Sequence, residues 1–398
     1  MRHFKFSGLV LAIALAFTVL KPGWSVAQPA PPEIPADAYI LADLKTGRIL
    51  AEKNPDQALI PASLTKIMTL YILFDEIKQG KVSLSDDVKI SERAWSTQGS
   101  KMFVLVGSTV KLEDLVKGIT VASGNDACVA VAEHVAGNVE SFVAMMNEKA
   151  RALGLTKTHF VDPHGLSEEN RMSPRDFLTL ARAYLRDHPE AKPYHSIKEF
   201  RYTPPGEHEI ILLSYNKLLW SYPGCYGLKT GHISAAGFNI AATCERDGFD
   251  VIAIVLGAAK GKPREIGESE RADLAATLLD YAYRNFTYVK VAEPGTEMGQ
   301  ARVWKGKGKY ARAIAPYEMG GTVLRGKEGA LTYSVILKKD LVAPIKAGTV
   351  VGEVVFSADG QEVGRAPLIA KEDVPKGNVL RVVWDSLVRA LLKAFGRV

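Results

Sequence analysis

The chain contains little cysteine, with only three in 398 residues. So few cysteines exclude a small scaffold held together by disulfides, and an odd number leaves one thiol unpaired in an oxidising compartment. The eight histidines are scattered along the chain and show no spacing typical of a metal site. The sequence therefore predicts neither a metal nor a cofactor.

The excess of positive over negative charge is also small, because the formal net charge is only +6. A surface that binds nucleic acid usually carries a much stronger basic bias. We therefore expect no nucleic-acid partner, whereas a mildly basic chain suits an anionic cell wall or lipid surface. The sequence has no internal repeats, and its proline-rich segment, residues 29–35, is predicted to be a linker without a fold of its own.

A long apolar run occurs only once, from Phe6 to Leu20. It follows Arg2, His3 and Lys5 and precedes the small-residue sequence Ser25-Val26-Ala27. This order is typical of a secretory signal peptide, so residues 1–27 are predicted to be removed and the mature chain to begin at Gln28. The alternative is a retained membrane helix, which needs about 20 apolar residues, more than this run supplies.

Three short strings carry the chemistry of this sequence. They occur in the order Ser63-Leu64-Thr65-Lys66, Ser123-Gly124-Asn125 and Lys229-Thr230-Gly231. Together they supply a serine nucleophile, a lysine that can take its proton, a second hydroxyl with an amide, and a cationic strand that can receive a carboxylate. This set of groups is typical of an acyl-transfer site.

The first string is predicted to open a helix. Pro61 suits the first helical turn, where its missing N–H costs nothing, and an apolar series runs from Leu64 to Leu73. Residues three apart share one helical face, so the Lys66 ammonium group can reach the Ser63 hydroxyl. The N–H groups at the helix start can also stabilise a developing oxyanion.

The Lys-Thr-Gly string occurs twice, and only the second copy suits catalysis. The first, Lys45-Thr46-Gly47, precedes the candidate nucleophile and is interpreted as a β-hairpin turn between two apolar runs. The second, Lys229-Thr230-Gly231, is followed by a small-residue turn and the apolar run from Phe238 to Ala242. We predict an edge strand there, along which an extended substrate can pair.

On these residues the chain resembles the low-molecular-mass penicillin-binding proteins that act as serine D-alanyl-D-alanine carboxypeptidases, of the penicillin-binding protein 5 type. The resemblance covers nearly the whole mature chain. It implies an α+β fold, in which a β-lactamase/transpeptidase-like catalytic domain, with an antiparallel sheet and a helical cluster, is followed by a small all-β sandwich and a C-terminal amphipathic helix. Beyond the three strings it rests on Gly99-Ser100-Lys101-Met102-Phe103, the run from Ala122 to Cys128, His164-Gly165-Leu166 and Ala236-Gly237-Phe238-Asn239.

The resemblance implies a role for each catalytic residue. Ser63 is the acylated nucleophile and Lys66 its general base. Ser123 and Asn125 act as proton relay and as contact to the substrate amide. The backbone N–H groups of Ser63 and His232 form the oxyanion hole.

The resemblance also implies how the terminal carboxylate of the substrate is bound. Lys229 and Thr230 bind it, beside Gly231, which keeps the strand free of side-chain bulk. The family adds an arginine from the last helix of the catalytic domain, and two residues compete for this role. Arg271 keeps the family's spacing to the segment that follows, whereas Arg264 lies in a segment that is lengthened.

The mechanism requires a neutral Lys66. Its ordinary pKa of about 10.4 opposes this, but burial and a second cation such as Lys229 both disfavour the charged form. Ser63 then attacks the carbonyl of the penultimate D-alanine of a peptidoglycan pentapeptide, the terminal D-alanine leaves, and water hydrolyses the acyl-enzyme. A β-lactam mimics this peptide and is expected to acylate the same serine.

Length predicts two folded units, because the roughly 370 residues left after the signal exceed what one core usually organises. The catalytic domain is placed at residues 28–288 and the β-sandwich at residues 289–376. Residues 377–398 are predicted to form an amphipathic helix with a wide apolar face that lies on a membrane surface. The enzyme is thus expected in the periplasm, held at the outer face of the inner membrane. The alternative is a helix packed on its own domain.

Two other functions share these features. A serine β-lactamase of the commonest class also needs a Glu-x-x-Leu-Asn loop, which Glu168-Glu169-Asn170 does not match. A non-catalytic wall-binding protein has no need of the complete set of catalytic residues.

The cysteines and one histidine receive structural interpretations. A hairpin turn centred on Ser234-Ala235 places Cys225 opposite Cys244, which makes a cross-strand disulfide conceivable. Cys128 is interpreted as buried and structural, and His164 as a residue that orders a loop.

Overall fold

The computed structural model describes residues 28–394, and the predicted signal peptide lies outside them. Short 3-10 helices occupy Ala62–Thr65, Pro189–Ala191 and Glu328–Ala330. The strands of the first part are β1 (Ala38–Asp43), β2 (Ile49–Lys53), β3 (Asp87–Lys89), β4 (Thr109–Lys111), β5 (Glu199–Tyr202), β6 (Ile210–Leu213), β7 (Cys225–Ile233), β8 (Gly237–Arg246) and β9 (Phe249–Ala258). Its helices are α1 (Lys66–Lys78), α2 (Glu92–Ser96), α3 (Leu112–Val121), α4 (Asn125–Ala136), α5 (Val139–Ala152), α6 (Pro174–Asp187), α7 (Lys192–His195), α8 (Leu218–Ser221) and α9 (Arg264–Asn285).

A five-stranded antiparallel sheet, in the order β2-β1-β9-β8-β7, forms the centre of the first part. Side chains of β9 alternate between its two faces. Ile252, Ile254 and Leu256 enter the core on the side of the helical cluster, whereas Val251, Ala253 and Val255 enter the core on the side of α9. Both faces are therefore covered, and β9 is a nearly unbroken apolar run.

The helical cluster is built from α1, α3, α4, α5 and α6, and its apolar side chains share one core with the sheet. Local sequence signals fix several helix ends. Ser173 accepts a hydrogen bond from the Asp176 N–H and Pro174 follows it at the start of α6. Gly137, with φ +79°, ends α4 in the left-handed conformation that favours glycine.

The second part is all β until its last helix, and the predicted α+β class is confirmed. Its elements are β10 (Phe286–Ala292), β11 (Glu297–Trp304), β12 (Tyr310–Ile314), β13 (Met319–Leu324), β14 (Leu331–Leu337), β15 (Leu341–Val342), β16 (Val350–Ala358), β17 (Gln361–Ala370) and α10 (Val379–Ala394). Six strands form one sheet in the order β14-β16-β17-β12-β11-β15, and β10 pairs with β13. Strand β10 follows α9 directly and runs through the predicted boundary at residue 289.

The first Lys-Thr-Gly copy is the turn between β1 and β2, as predicted. The buried Asp43 carboxylate accepts hydrogen bonds from the Lys45 N–H, at 2.8 Å, and from the Thr46 hydroxyl, at 2.8 Å. The same carboxylate also accepts a hydrogen bond from the hydroxyl of Thr322 in β13. This copy therefore helps to join the two parts of the chain.

Helix α10 is docked through its charged face. Asp385 is 2% exposed, accepts a hydrogen bond from the Lys305 N–H at 2.7 Å and pairs with Arg381 at 3.1 Å. One turn further on, Arg389 pairs with Asp340 of the β domain at 2.5 Å. The apolar face is left outward, where Val379, Leu380, Val383, Trp384, Leu387 and Leu391 are all more than half exposed. The described residues contain no helix that is long and apolar enough to cross a bilayer.

Candidate active site

The candidate nucleophile lies in a tight turn just before α1. Ser63 belongs to the 3-10 helix Ala62–Thr65, and Lys66 is the first residue of α1. The Lys66 Nζ atom lies 2.9 Å from Ser63 Oγ. Ser63 is partly exposed while Lys66 is fully buried, so the hydroxyl faces the cleft and the amine approaches it from the protein interior.

The Lys66 amine has three partners of two kinds. Besides the Ser63 hydroxyl, its Nζ atom lies 2.7 Å from Asn125 Oδ1 and 2.6 Å from the backbone oxygen of His164. The amide and carbonyl oxygens can only accept hydrogen bonds. A neutral amine uses its two N–H groups on them, so its lone pair points at the Ser63 O–H.

The electrostatics favour this neutral form. Burial lowers the pKa of Lys66, and the nearby Cys128, Asp162 and Asp126 oppose this shift only in part. Burial likewise lowers the pKa of Lys229 well below its ordinary value, and the adjacent Lys66 and Arg271 lower it further. Mutual repulsion between the two lysines therefore disfavours charging both of them at once.

The second string forms the opposite wall of the cleft. Asn125 opens α4 and is fixed by its side-chain N–H, which donates to the Gln98 carbonyl at 2.7 Å, and by its backbone N–H, which donates to the Ser100 carbonyl at 2.7 Å. Ser123 has φ +55°, and its buried hydroxyl has no hydrogen-bond partner among residues 28–394. That hydroxyl lies on the same cleft as Ser63.

Asp126 supports this wall, and no role for it was predicted. Its fully buried carboxylate accepts hydrogen bonds from the backbone N–H groups of Met102, Phe103 and Val104, at 3.0, 2.9 and 3.3 Å. A carboxylate that accepts several N–H groups fixes the backbone it binds. The sequence signal was its position in the run from Ala122 to Cys128, but nothing local shows which N–H groups it binds.

The third string lies on β7, which forms an edge of the central sheet within the described residues. Gly231 packs against the turn that carries Ser63. A Cβ atom on Gly231 would lie 2.9 Å from the Ser63 nitrogen and 3.0 Å from the Pro61 oxygen. Only glycine lets the strand approach the nucleophile turn so closely.

Side chains from elsewhere in the chain hold the carbonyl groups of β7. Asn216 donates to the Gly227 carbonyl at 2.8 Å. The Nδ1–H of buried His195 donates to the Leu228 carbonyl at 3.0 Å, while its Nε2 accepts from the Tyr184 hydroxyl at 3.0 Å. Sequence analysis predicted neither contact, because Asn216 and His195 lie outside β7 and belong to no recognisable motif.

The two candidate arginines differ in environment. Arg271 is 3% exposed and donates to the carbonyl groups of Gly231, at 3.3 Å, and Tyr215, at 3.1 Å. Burial lowers its pKa to about 10, so it remains charged at neutral pH. Arg264 is exposed and pairs with Glu268 at 2.9 Å, although it too borders the cleft.

A loop ordered by Asp162 completes the site. Its carboxylate accepts hydrogen bonds from the backbone N–H groups of His164, Gly165 and Ser167, at 2.9, 2.5 and 2.8 Å. The His164 side chain accepts a hydrogen bond from the Leu166 N–H at 3.2 Å, in line with its predicted role in ordering the loop. The contact of its carbonyl group with Lys66 was not predicted.

The three strings therefore meet at one cleft of about 680 Å³. Its lining includes Ser63, Ser123, Asn125, Thr230, Gly231, His232 and Arg271, and Lys229 is buried beside it. Ring stacking fixes the exposed His232 against Phe238, with ring centres 4.0 Å apart. All the predicted site residues are thus brought together.

The register of the β7–β8 hairpin brings two of the three cysteines together. Cys225 of β7 lies opposite Cys244 of β8, and the two form a disulfide. The connection between these strands, residues 234–236, contains the predicted turn centre. Cys128 is free and fully buried in α4, where burial raises the pKa of its thiol to about 12.

Comparison with known families gives two matches that together cover most of the chain. A family model described as D-alanyl-D-alanine carboxypeptidase matches residues 25–260. A second, described as penicillin-binding protein 5, C-terminal domain, matches residues 286–376.

Individual proteins are similar over nearly the same length. The D-alanyl-D-alanine carboxypeptidase DacA of Haemophilus influenzae is 37% identical over 365 residues, 90% of each chain. The crystal structure of penicillin-binding protein 5 from Haemophilus influenzae has a TM-score of 0.71 at 36% identity and covers 87% of this chain and 99% of its own. Penicillin-binding protein D2 from Listeria monocytogenes, in its ampicillin-bound form, has a TM-score of 0.55 at 26% identity and covers 63% and 99%.

Replacing Gly231 with alanine tests the close approach of β7 to the nucleophile. The added Cβ atom must push the strand from the Ser63 turn, and a displacement of about 1 Å typically costs about 100-fold in rate. We expect acylation by a fluorescent penicillin to slow by about 100-fold, measured by stopped flow. Gly329→Ala is the matched control, since a Cβ atom there meets no atom within 4 Å. Equal acylation rates in the two variants would contradict the prediction.

Proposed function

The chain belongs to the D-alanyl-D-alanine carboxypeptidase family, and we propose that it removes the terminal D-alanine from peptidoglycan pentapeptide stems through an acyl-enzyme on Ser63. The observation that carries this proposal is the buried Lys66 amine, which lies 2.9 Å from Ser63 Oγ and whose two other partners can only accept hydrogen bonds. In the neutral amine this leaves the lone pair for the Ser63 hydroxyl. It is a serine-type enzyme, and each residue role below is part of the proposal.

Acylation begins when the Ser63 hydroxyl oxygen attacks the carbonyl carbon of the penultimate D-alanine. Its proton passes to the neutral Lys66 amine, and the carbonyl oxygen becomes an oxyanion bound by the N–H groups of Ser63 and His232. Collapse of this intermediate breaks the peptide bond. The nitrogen of the leaving D-alanine takes a proton from Lys66 through the Ser123 hydroxyl, which has no other partner among the described residues. Water then hydrolyses the ester and frees Ser63.

Specificity for a free terminal carboxylate comes from the cations around β7. Lys229 and Arg271 are both buried beside the cleft, and Thr230 supplies a hydroxyl on the same strand. A bound carboxylate favours the charged form of Lys229, which burial alone disfavours. Arg271 suits this role better than Arg264, because Glu268 already neutralises Arg264. Asn125 remains close enough to the cleft for its amide to contact the substrate backbone.

The same arrangement binds β-lactams as covalent inhibitors. Their strained amide takes the place of the scissile peptide and their carboxylate takes the place of the terminal one. A β-lactamase must also activate water for rapid deacylation. Here Glu168 and Glu169 are exposed, and the Asn170 side chain is used in holding the Asp162 loop, with Nδ2 donating to Asp162 at 3.0 Å.

We place the mature enzyme in the periplasm, at the outer face of the inner membrane. The predicted signal peptide, residues 1–27, supports export. The C-terminal helix supports a peripheral anchor, because its charged face is occupied by the β domain and its apolar face is exposed. An amphipathic helix with an outward apolar face containing tryptophan suits a membrane interface.

Replacing Ser63 with alanine tests the acyl-enzyme. We expect the wild-type mass to rise by the mass of one β-lactam after incubation, and D-alanine to be released from a soluble pentapeptide. The Ser63→Ala variant should do neither, because Ser63 carries the only hydroxyl among residues 28–394 that lies within hydrogen-bond distance of Lys66 Nζ. Ser96→Ala, an exposed serine on α2, serves as the control. Release of D-alanine by Ser63→Ala at the wild-type rate would refute the mechanism.

The pH dependence of acylation tests the neutral lysine. Acylation requires deprotonated Lys66, so its rate should fall as the pH drops through the pKa of Lys66, which burial lowers from its ordinary value of about 10.4. An arginine at this position stays protonated, so Lys66→Arg should lose about 1,000-fold in rate across the whole range. The control is Lys78→Arg, an exposed position on α1. A pH-independent wild-type rate would exclude Lys66 as the base.

Removing apolar groups from α10 tests the membrane anchor. Trp384→Ser combined with Leu387→Ser should weaken binding to phospholipid vesicles by at least about 100-fold, since each buried apolar side chain contributes about 1.5–3 kcal/mol. Tyr333→Ser combined with Ile336→Ser removes apolar groups of similar exposure from β14 and should leave binding unchanged. Co-sedimentation measures both. Equal loss of binding in the two variants would argue against an anchor confined to α10.

A further inference from the structure

Exposed lysines gather where α10 begins. The turn between β11 and β12 contains Lys307 and Lys309, and Lys376 lies just before the helix. The Lys307 N–H donates to the Pro375 carbonyl at 2.8 Å, and Gly306 pairs with Lys376 as in an antiparallel sheet. The Gly377 N–H donates to the Lys305 carbonyl at 2.8 Å. These backbone bonds bring three lysine side chains to the root of the helix.

Two more lysines lie near the third turn of α10. Lys338 and Lys339 directly precede Asp340, which pairs with Arg389 of the helix at 2.5 Å. The Lys339 carbonyl accepts a hydrogen bond from the Trp304 ring N–H at 3.4 Å, which ties this loop to the end of β11. We call Lys307, Lys309, Lys338, Lys339 and Lys376 the lysine cluster. Its members thus lie near the start and near the third turn of the docked helix.

The charge of the lysine cluster is not neutralised by its surroundings. Each of its members is exposed, and none forms an ion pair within residues 28–394. The acidic groups nearby are already paired with other cations. Glu372 pairs with Arg312 at 2.8 Å, Asp373 with Lys346 at 2.9 Å, and Asp385 with Arg381 at 3.1 Å. The patch is therefore positive as a whole.

The helix and the lysine cluster form one surface. Asp385 and Arg389 hold the polar face of α10 against the β domain, which fixes the apolar face outward beside the lysines. Leu380, at 81% exposed, and Trp384, at 65%, belong to that apolar face. An apolar ridge flanked by unpaired lysines complements a bilayer whose headgroups are anionic.

We propose that the lysine cluster binds anionic phospholipid headgroups and gives this enzyme a preference for anionic membranes. The inference rests on the proposed membrane anchor, to which it adds lipid selectivity. Insertion of the apolar face of the helix does not depend on the charge of the lipid headgroups. The lysines of the β domain add an electrostatic attraction to anionic lipids, which salt weakens.

The test uses the full chain without residues 1–27 and two kinds of vesicle, one wholly zwitterionic and one with about a third anionic lipid. In the variant Lys307→Gln, Lys309→Gln, Lys376→Gln, we expect binding to the anionic vesicles to weaken by about 100-fold, at roughly fivefold per lysine near the surface. Binding to the zwitterionic vesicles should stay at the wild-type level. Only the wild type should show strong dependence on salt.

A matched control removes the same charge elsewhere. Lys89→Gln, Lys157→Gln, Lys198→Gln changes three exposed, unpaired lysines of the catalytic domain and should leave binding to both vesicles unchanged. Release of D-alanine from a soluble pentapeptide should stay at the wild-type rate in both triple variants, which verifies that they are folded. If the control weakens anionic binding as much as the cluster variant does, overall charge explains the effect and the proposal fails.

The remaining outcomes separate this inference from the anchor itself. Wild-type affinity of the cluster variant for anionic vesicles overturns the proposal while leaving the anchor intact. Loss of binding to purified insoluble cell wall, with vesicle binding unchanged, overturns it in favour of a wall polymer as the partner. If instead Trp384→Ser combined with Leu387→Ser binds zwitterionic vesicles like the wild type, the anchor is wrong, whatever the lysines do.

Discussion

The site depends on one interaction, the hydrogen bond between the buried Lys66 amine and the Ser63 hydroxyl. Burying an amine is costly unless its N–H groups are used, and here Asn125 and the His164 carbonyl use them. These partners come from α4 and from the loop held by Asp162. In the proposed mechanism, three separate parts of the chain must therefore be in place before Ser63 has its base, which couples correct folding to catalytic competence.

The sheet supplies the second requirement, a strand at a fixed distance from the nucleophile. Strand β7 is an edge strand, and edge strands are free to move unless something holds them. Asn216, His195 and Arg271 each bind one of its carbonyl groups from the protein side. Gly231 then allows the strand to approach the Ser63 turn without a side chain between them.

In the second part of the chain, the C-terminal helix α10 is docked by its polar face and not by its apolar face. Amphipathic helices of globular proteins usually bury their apolar face. In α10 the charged face makes the contacts with the β domain, through Asp385 and Arg389, and the apolar face stays outward. Ion pairs and backbone hydrogen bonds therefore set the orientation of the helix, and its hydrophobic surface stays exposed.

Sequence alone determined those features that depend on near neighbours. The three-residue spacing of Ser63 and Lys66, the hairpin turn at Lys45-Thr46-Gly47 and the amphipathic pattern of α10 each follow from local periodicity. The order of the three motifs indicated the family, and the family implied the α+β fold. Only the tertiary structure decided the contacts of Asp126, His195 and the His164 carbonyl, and which face of α10 is docked. These contacts join residues that are far apart in the chain, so no local pattern encodes them, and they form only when packing brings the elements together.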